Sequence, residues 1–277
     1  MLPEDQDVTM RGVLLIGVGI AIFVTLAIVL TLPSGARQDE QVFQDRVVKM
    51  GGLDYHFRVF TPKGWTKKNK SPVMLFLHGA GERGQDNLAQ IRTGIGPAIL
   101  RQVDTLPFIV VLPQCPQNRW WTESEMQDLA LKALNQSIEE FNGDTDRLYL
   151  TGLSMGGYGS WLMAATNPTM FSAVAVVCGG VRPPPGLNIP NQPELFTSTE
   201  DPYSVVASKV AKLPLWVFHG DADPAVPVSE SQKMVKALKA LGANVRYNEY
   251  PGVGHNSWDK AYAEPELFTW FAAARKK

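Results

Sequence analysis

One serine stands where an acyl-transfer nucleophile would stand. Gly152-Leu153-Ser154-Met155-Gly156-Gly157 follows the apolar run Arg147 to Leu150 and precedes an apolar stretch through Trp161 and Met163. A strand therefore turns through a Gly-flanked Ser into a helix, the context that separates a nucleophile elbow from a chance GxSxG match. Such a turn lifts the hydroxyl above the sheet, and Gly152 and Gly156 leave the backbone room to close. The helix N-terminus behind Ser154 favours the negative charge that develops in acyl transfer.

A Ser hydroxyl needs a base, and the base needs a carboxylate to orient it. In this strand–turn–helix class the chain order is Ser, acid, His. Of the four His, only His219 and His255 follow Ser154. His255 lies in the loop PGVGHNSW after the last strand-like run and is the expected base. His219 closes the run PLWVF and is expected to shape the acid loop beyond it. That loop, His219-Gly-Asp-Ala-Asp-Pro-Ala-Val-Pro227, offers two carboxylates. Asp223 lies further from the strand and Pro224 fixes its backbone, so it is assigned to hold the His255 tautomer, leaving Asp221 to stabilise the turn. The oxyanion hole takes one N–H from Met155 and one from the loop His78-Gly79-Ala80-Gly81-Glu82-Arg83-Gly84, with Ala80 the first choice and Gly81 the next. Trp120, Trp121, Tyr158 and Trp258 fall near loops on the same side and are expected to line an acyl or aryl pocket, with core aromatics under the loops as the alternative.

Competing chemistries fail on context. Gly79, Gly81 and Gly84 match GxGxxG after a strand, and Asp104 lies 20 residues beyond Gly84. A ribose-binding acid belongs at the end of the next strand, whereas Asp104 precedes PFIVVLP, and no apolar helix starts within the glycines. No His pair has metal-ligand spacing, so no metal and no cofactor is expected. Cys115 and Cys178 are too few for a disulfide scaffold or a four-Cys zinc site; both are expected to be free and mostly buried. The chain has 26 Lys+Arg against 27 Asp+Glu, a formal net charge of -1, and 45% hydrophobic residues. That balance argues against disorder and against a nucleic-acid partner. The basic stretch Lys63 to Lys70 reads as a solvated loop.

The elements that must hold these residues follow from periodicity. Gln41 to Met50 and Leu53 to Pro62 flank Gly51-Gly52, a hairpin signal. PVMLFLH, PFIVVLP, RLYLTG, FSAVAVVCGG and PLWVFHG are short continuous apolar runs, as expected for parallel strands buried on both faces. Ser124 to Phe141, Ser229 to Leu241 and Glu264 to Lys277 read as helices, and Val245 to Tyr250 as a last strand. Alternating strands and helices predict an α/β fold: a mostly parallel, doubly wound sheet with an N-terminal antiparallel hairpin and helices on both faces. The Pro-rich segment Val181 to Pro193 breaks the pattern and is expected to cross the top of the sheet.

The N-terminus is of another kind. Residues 13–32, VLLIGVGIAIFVTLAIVLTL, carry no charge and match the length of a membrane-spanning helix. The run reads as an uncleaved anchor or as a signal peptide cleaved after Ser34-Gly35-Ala36, and a start at Met10 would give a more ordinary signal. Either reading places the rest outside the cytoplasm, anchored to a membrane through residues 13–32 or secreted or periplasmic. Residues 1–36 hold Arg11 against Glu4, Asp5 and Asp7; taken from 26 and 27, this leaves residues 37–277 with 25 basic and 24 acidic residues.

LFLHGAGERG (Leu75 to Gly84), LPQCPQ (Leu112 to Gln117), LYLTGLSMGGYGSW (Leu148 to Trp161), LWVFHGDADPAVPV (Leu215 to Val228) and YPGVGHNSWDKAY (Tyr250 to Tyr262) together resemble the α/β-hydrolase superfamily. Within it they are similar to the bacterial predicted-peptidase or phospholipase/carboxylesterase-like group, related to dienelactone hydrolases and to feruloyl and acetyl xylan esterases. The resemblance implies Ser154 as nucleophile, Asp223 as acid and His255 as base, and a small-molecule or polysaccharide-linked ester as substrate. The expected function is a serine carboxylesterase working through an acyl-enzyme. The alternatives are a serine peptidase of the prolyl-oligopeptidase-like type and a non-catalytic, membrane-tethered binding module.

Overall fold

The computed structural model describes residues 41–183, 193–197 and 201–276. The N-terminal apolar run and its possible cleavage site, the Met10 start and most of the Pro-rich segment lie outside the described residues. Among the described residues no helix is long and apolar enough to cross a membrane.

The strands are β1 (Gln44–Met50), β2 (Leu53–Phe60), β3 (Ser71–Leu77), β4 (Ile109–Pro113), β5 (Gly143–Leu153), β6 (Ala173–Val177), β7 (Leu215–Gly220) and β8 (Val245–Tyr250). The helices between and after them are α1 (Ile95–Arg101), α2 (Ser124–Phe141), α3 (Met155–Thr166), α4 (Glu194–Thr197), α5 (Pro202–Val210), α6 (Ser229–Ala240), α7 (Trp258–Ala261) and α8 (Leu267–Ala273). The sheet order is β1-β2-β4-β3-β5-β6-β7-β8. β1 pairs antiparallel with β2, and β2 antiparallel with β4; every other pairing is parallel. Gly51 and Gly52 turn the first hairpin with φ of 61° and 80°, the two positive values a type I′ turn requires.

The continuous apolar runs become the central strands because both faces are covered. Along β3, Val73, Leu75 and Leu77 enter the core beneath α2, α3, α5 and α6, while Met74 and Phe76 enter the core beneath α1 and α8. Each such side chain contributes roughly 1.5–3 kcal/mol. The edge strands β1 and β8 bury little.

Two expectations are revised. The closing helix is shorter than Glu264 to Lys277: the backbone turns extended at Ala274, and the Lys276 N–H bonds to the Asp146 carbonyl at 3.0 Å, a partner that ends the helix. Helix α5 was not expected, although its cap is written in the sequence. Asp201 Oδ2 accepts from the Ser204 N–H at 3.2 Å, and Pro202 fills the first helical position.

Register decides where the loops open. Leu77 pairs with Gly152, Leu153 with Val177, and Gly220 with Tyr250. The segments after β3, β5, β6, β7 and β8 thus leave the sheet from one edge. At that edge α3 packs directly on the end of β3. A Cβ added to Gly156 would lie 1.9 Å from the Leu77 carbonyl oxygen and 2.7 Å from that of His78. Both are backbone atoms and cannot swing aside. The loop after β3 is fixed by His78, which is fully buried. Its Nδ1 donates to the Gly79 carbonyl at 2.6 Å, which leaves Nε2 to accept from the Cys115 N–H at 2.9 Å. The ring meets Trp121 edge-on at 5.2 Å.

Two predictions follow from this edge. Gly156→Ala should destabilise the protein by about 3 kcal/mol or more, read as a fall in unfolding midpoint. Burial pushes the His78 imidazole down to about 4, from 6.5. The unfolded chain therefore binds the extra proton first. Stability should be fully present above pH 6.5 and be lost as pH falls toward 4, by about 2–3 kcal/mol from this group. Urea unfolding at pH 7.5 and 4.5 should show that increment in the natural chain and not in His78→Asn.

Candidate active site

Ser154 occupies the sharp turn between β5 and α3 with φ 52° and ψ -118°, a region that few residues other than Gly adopt. The strained backbone is held from three sides. The Ser154 N–H donates to the Val177 carbonyl at 3.0 Å, and the N–H groups of Gly157 and Tyr158 donate to the Ser154 carbonyl at 2.8 and 3.1 Å. On the inner side, a Cβ at Gly152 would lie 2.4 Å from the Gly156 carbonyl oxygen.

The Ser154 hydroxyl and His255 Nε2 are 2.8 Å apart, and His255 Nδ1 and Asp223 Oδ2 are 2.7 Å apart. The structure thus brings together the three side chains singled out in the sequence, across separations of 101 residues for Ser154 and His255 and 32 for Asp223 and His255. His255 retains 25% side-chain exposure, whereas the Asp223 side chain has none.

The loop that carries His255 is tied to the loop that carries Asp223. The Asp221 N–H bonds to the Tyr250 carbonyl at 3.2 Å, and the Ala222 N–H to the Val253 carbonyl at 3.1 Å. Asp221 Oδ1 accepts from the Gly252 N–H at 2.6 Å, so Asp221 stabilises the turn. Asp223 itself accepts on both oxygens. The N–H groups of Ala225 and Val226 donate to Oδ1 at 2.8 and 2.9 Å. His255 and, at 3.2 Å, His219 Nε2 approach Oδ2. Burial by itself would raise this carboxyl; donation from His219, His255 and the Val226 N–H outweighs it and holds the group well below the usual carboxylate range.

The loop after β3 makes one 3₁₀ turn, Ala80–Glu82. Among the described residues the backbone N–H groups of Ala80 and Met155 make no hydrogen bond, an arrangement suited to receiving an oxyanion. Gly81, the second choice, is exposed. Arg83 Nε donates to the Ala80 carbonyl at 3.0 Å, and its guanidinium lies 5.5 Å from the Trp120 ring centroid. Half-buried Trp120 therefore borders the loop. Trp258 meets His255 edge-on at 5.4 Å.

Two of the four aromatics take the alternative place, in the core beneath the loops. Trp121 is fully buried: its Nε1 donates to the His78 carbonyl at 3.0 Å, and a Cβ on Gly159 would lie 2.4 Å from its own. Close packing against α3 makes it a prop beneath the loop rather than part of a pocket wall. Tyr158 is 2% exposed, with its hydroxyl toward Gly180 and Glu230.

Cys115 and Cys178 are unbonded and buried, and burial pushes both thiols up to about 12. Sequence reasoning did not place Cys178 at the site, although it follows β6 and so emerges beside Ser154. Its sulfur and the nearest atoms of Asp223 and His255 lie within 4.8 Å of one another. Asp223 and His255 are already hydrogen-bonded to each other there.

The dienelactone hydrolase family matches residues 114–266. The chain is 33% identical over 113 residues to an Escherichia coli protein named for carboxymethylenebutenolidase, covering 41% of this chain and 37% of that protein. It is 28% identical over 206 residues to an uncharacterized secreted protein of Arthroderma benhamiae, covering 68% of this chain and 22% of the relative. Among solved structures, a thermostable esterase superposes with a TM-score of 0.72 at 31% identity, over 86% of this chain and 64% of that one. A ferulic acid esterase superposes with a TM-score of 0.64 at 19% identity, over 83% and 98%, a likeness of fold. The chain spans less than two thirds of the length of both sequence relatives and of the thermostable esterase. With more than half of the chain inside the family match, and Ser154, Asp223 and His255 all within it, the chain belongs to the dienelactone hydrolase family and has the α/β-hydrolase fold.

Proposed function

We propose that the chain is a serine carboxylesterase. The observation that carries this reading is the unbroken contact from the Ser154 hydroxyl through His255 to the buried carboxylate of Asp223, at 2.8 and 2.7 Å. His255 Nε2 takes the hydroxyl proton as Oγ attacks the ester carbonyl. Nδ1–H stays on Asp223, which fixes the tautomer and offsets the imidazolium charge. The Met155 N–H and that of Ala80, or of Gly81, meet the negative oxygen of the tetrahedral intermediate. Each such donor is worth about 10²–10³ in rate. The imidazolium then protonates the leaving alcohol, and water repeats the sequence on the acyl-enzyme.

The substrate class, a small or polysaccharide-linked carboxylic ester, is supported by the 31% identity to the thermostable esterase. Half-buried Trp258 stands against His255 and half-buried Trp120 against the Arg83 guanidinium of the loop after β3, and both are suited to an acyl or aryl moiety. A location outside the cytoplasm is supported by the uncharged run 13–32 and by the relative named as secreted. The basic stretch at Lys63 to Lys70 plays no part in this reading.

Ser154→Ala should lower kcat/KM on short activated esters by on the order of 10⁴-fold or more. A fluorophosphonate probe should label the natural chain and not this variant. Ester turnover that survives Ser154→Ala refutes the nucleophile assignment. Matched amide substrates measured alongside report whether the same site serves a peptidase.

A further inference from the structure

Asp223 is contacted by two imidazoles, and only one of them faces the nucleophile. The second, His219, is fully buried at the end of β7. Its Nε2 lies 3.0 Å from the Val226 carbonyl oxygen and 3.2 Å from Asp223 Oδ2. Its Nδ1 lies 2.7 Å from the Ser231 hydroxyl on α6.

These partners fix the tautomer. A carbonyl oxygen can only accept, so Nε2 carries the proton and shares it between Val226 and Asp223. In the neutral ring Nδ1 is then an acceptor, and the Ser231 hydroxyl donates to it. One neutral ring satisfies all three contacts. The alternative tautomer would turn a lone pair on Nε2 toward two oxygens.

We propose that His219 is a positioning residue of the catalytic triad: oriented by Ser231, it clamps Asp223 Oδ2 against His255 and shares the carboxylate charge with it. The proposal rests on reading Ser154, His255 and Asp223 as that triad. Several groups face this carboxylate and ring besides His255: Glu249 on β8, Cys178 after β6 and Tyr158 on α3. Donation from Tyr247 and Gln232 keeps Glu249 ionised, while burial keeps the Cys178 thiol and the Tyr158 hydroxyl neutral. None of them changes charge near neutral pH, so none obscures the effect of removing His219.

The direction of that effect follows from the shared oxygen. Without the His219 donor, the charge on Oδ2 is concentrated on His255 and holds the imidazolium form more strongly. Catalysis requires the neutral ring, so the acid limb of the activity profile must move to higher pH. Orientation of the carboxylate also loosens, which lowers kcat.

The test compares His219→Leu, His219→Gln and Ser231→Ala in the full chain, with kcat, KM and kcat/KM measured against pH. His219→Leu should lower kcat about 10- to 100-fold with KM little changed, and shift the acid limb of kcat/KM upward by about 0.5–1 pH unit. His219→Gln, whose amide N–H₂ can donate to both oxygens, should recover most of kcat and the original limb. Ser231→Ala should shift the limb in the same direction by less. A folded His219→Leu with natural kcat and pH profile overturns the proposal. So does equal loss in the Leu and Gln variants with an unmoved limb, which marks His219 as structural. Should His219→Leu fail to fold, an unmoved limb in Ser231→Ala overturns it instead. Ser154→Ala, run in parallel, separates the two readings: activity surviving there refutes the triad, whereas an inactive Ser154→Ala beside an unaffected His219→Leu refutes only the positioning role.

Discussion

A charge with no exposed surface has to be surrounded by donors, and Asp223 is such a charge. Stripping an isolated carboxylate of water costs several kcal/mol, and here four groups replace that water: two backbone N–H groups and two imidazoles. Each donor constrains a different piece of the chain. Ala225 and Val226 close the loop after β7, His219 ties the carboxylate to the strand itself, and His255 brings in the loop after β8. The geometry at Ser154 is the far end of this arrangement. If the carboxylate were half-solvated, a single donor would suffice, and the imidazole facing Ser154 would be free to turn.

The serine is held by a different principle. Ser154 sits in a backbone region that costs roughly 1–3 kcal/mol, and that cost is offset by close approach: α3 lies against the end of β3 at a distance only Gly156 permits. The same contact leaves the Met155 N–H, at the start of α3, without a hydrogen bond among the described residues. The strain at Ser154 and the unbonded Met155 N–H beside it are consequences of one crossing of backbone on backbone. Electrostatics holds His255 and Asp223, sterics holds Ser154, and the sheet register makes the two meet.

This division explains what could be read from the sequence. Ser154, Asp223 and His255 were legible because each lies just beyond a strand whose apolar run is unmistakable, and the parallel sheet sends every such strand end to one edge. The choice of Asp223 over Asp221 was legible from Pro224. What was not legible depends on distances between elements. Trp121 carries the composition of a pocket residue, yet the glycine at position 159 of the facing helix draws it inward. Cys178 looks like any buried Cys until β5 and β6 are known to be neighbours. The contact of His219 with Asp223 spans only four residues, but whether the ring points to the carboxylate or away depends on Ser231, a helix away. The Asp201-Pro202 cap of α5 was present in the sequence and was missed because the Pro-rich stretch before it suggested a long loop.

The polar clamps also separate chemistry from recognition. Buried Gln114 donates to the Glu82 carbonyl at 3.0 Å and to Asp86 at 2.8 Å, and accepts from the Asn87 N–H at 2.8 Å, which pins the loop after β3. Buried Glu230 accepts from the Val181 and Arg182 N–H groups, both at 3.0 Å, and from the Tyr203 hydroxyl at 2.5 Å, which pins the chain after β6. Both clamps fix the chain close to the point where it leaves the sheet. Side chains beyond the clamps can therefore change without disturbing the register of the strand ends. Recognition in such a fold can therefore be rewritten in the loops while the contacts at the strand ends, within LFLHGAGERG, LTGLSMGG and HGDADPAVP, stay as they are.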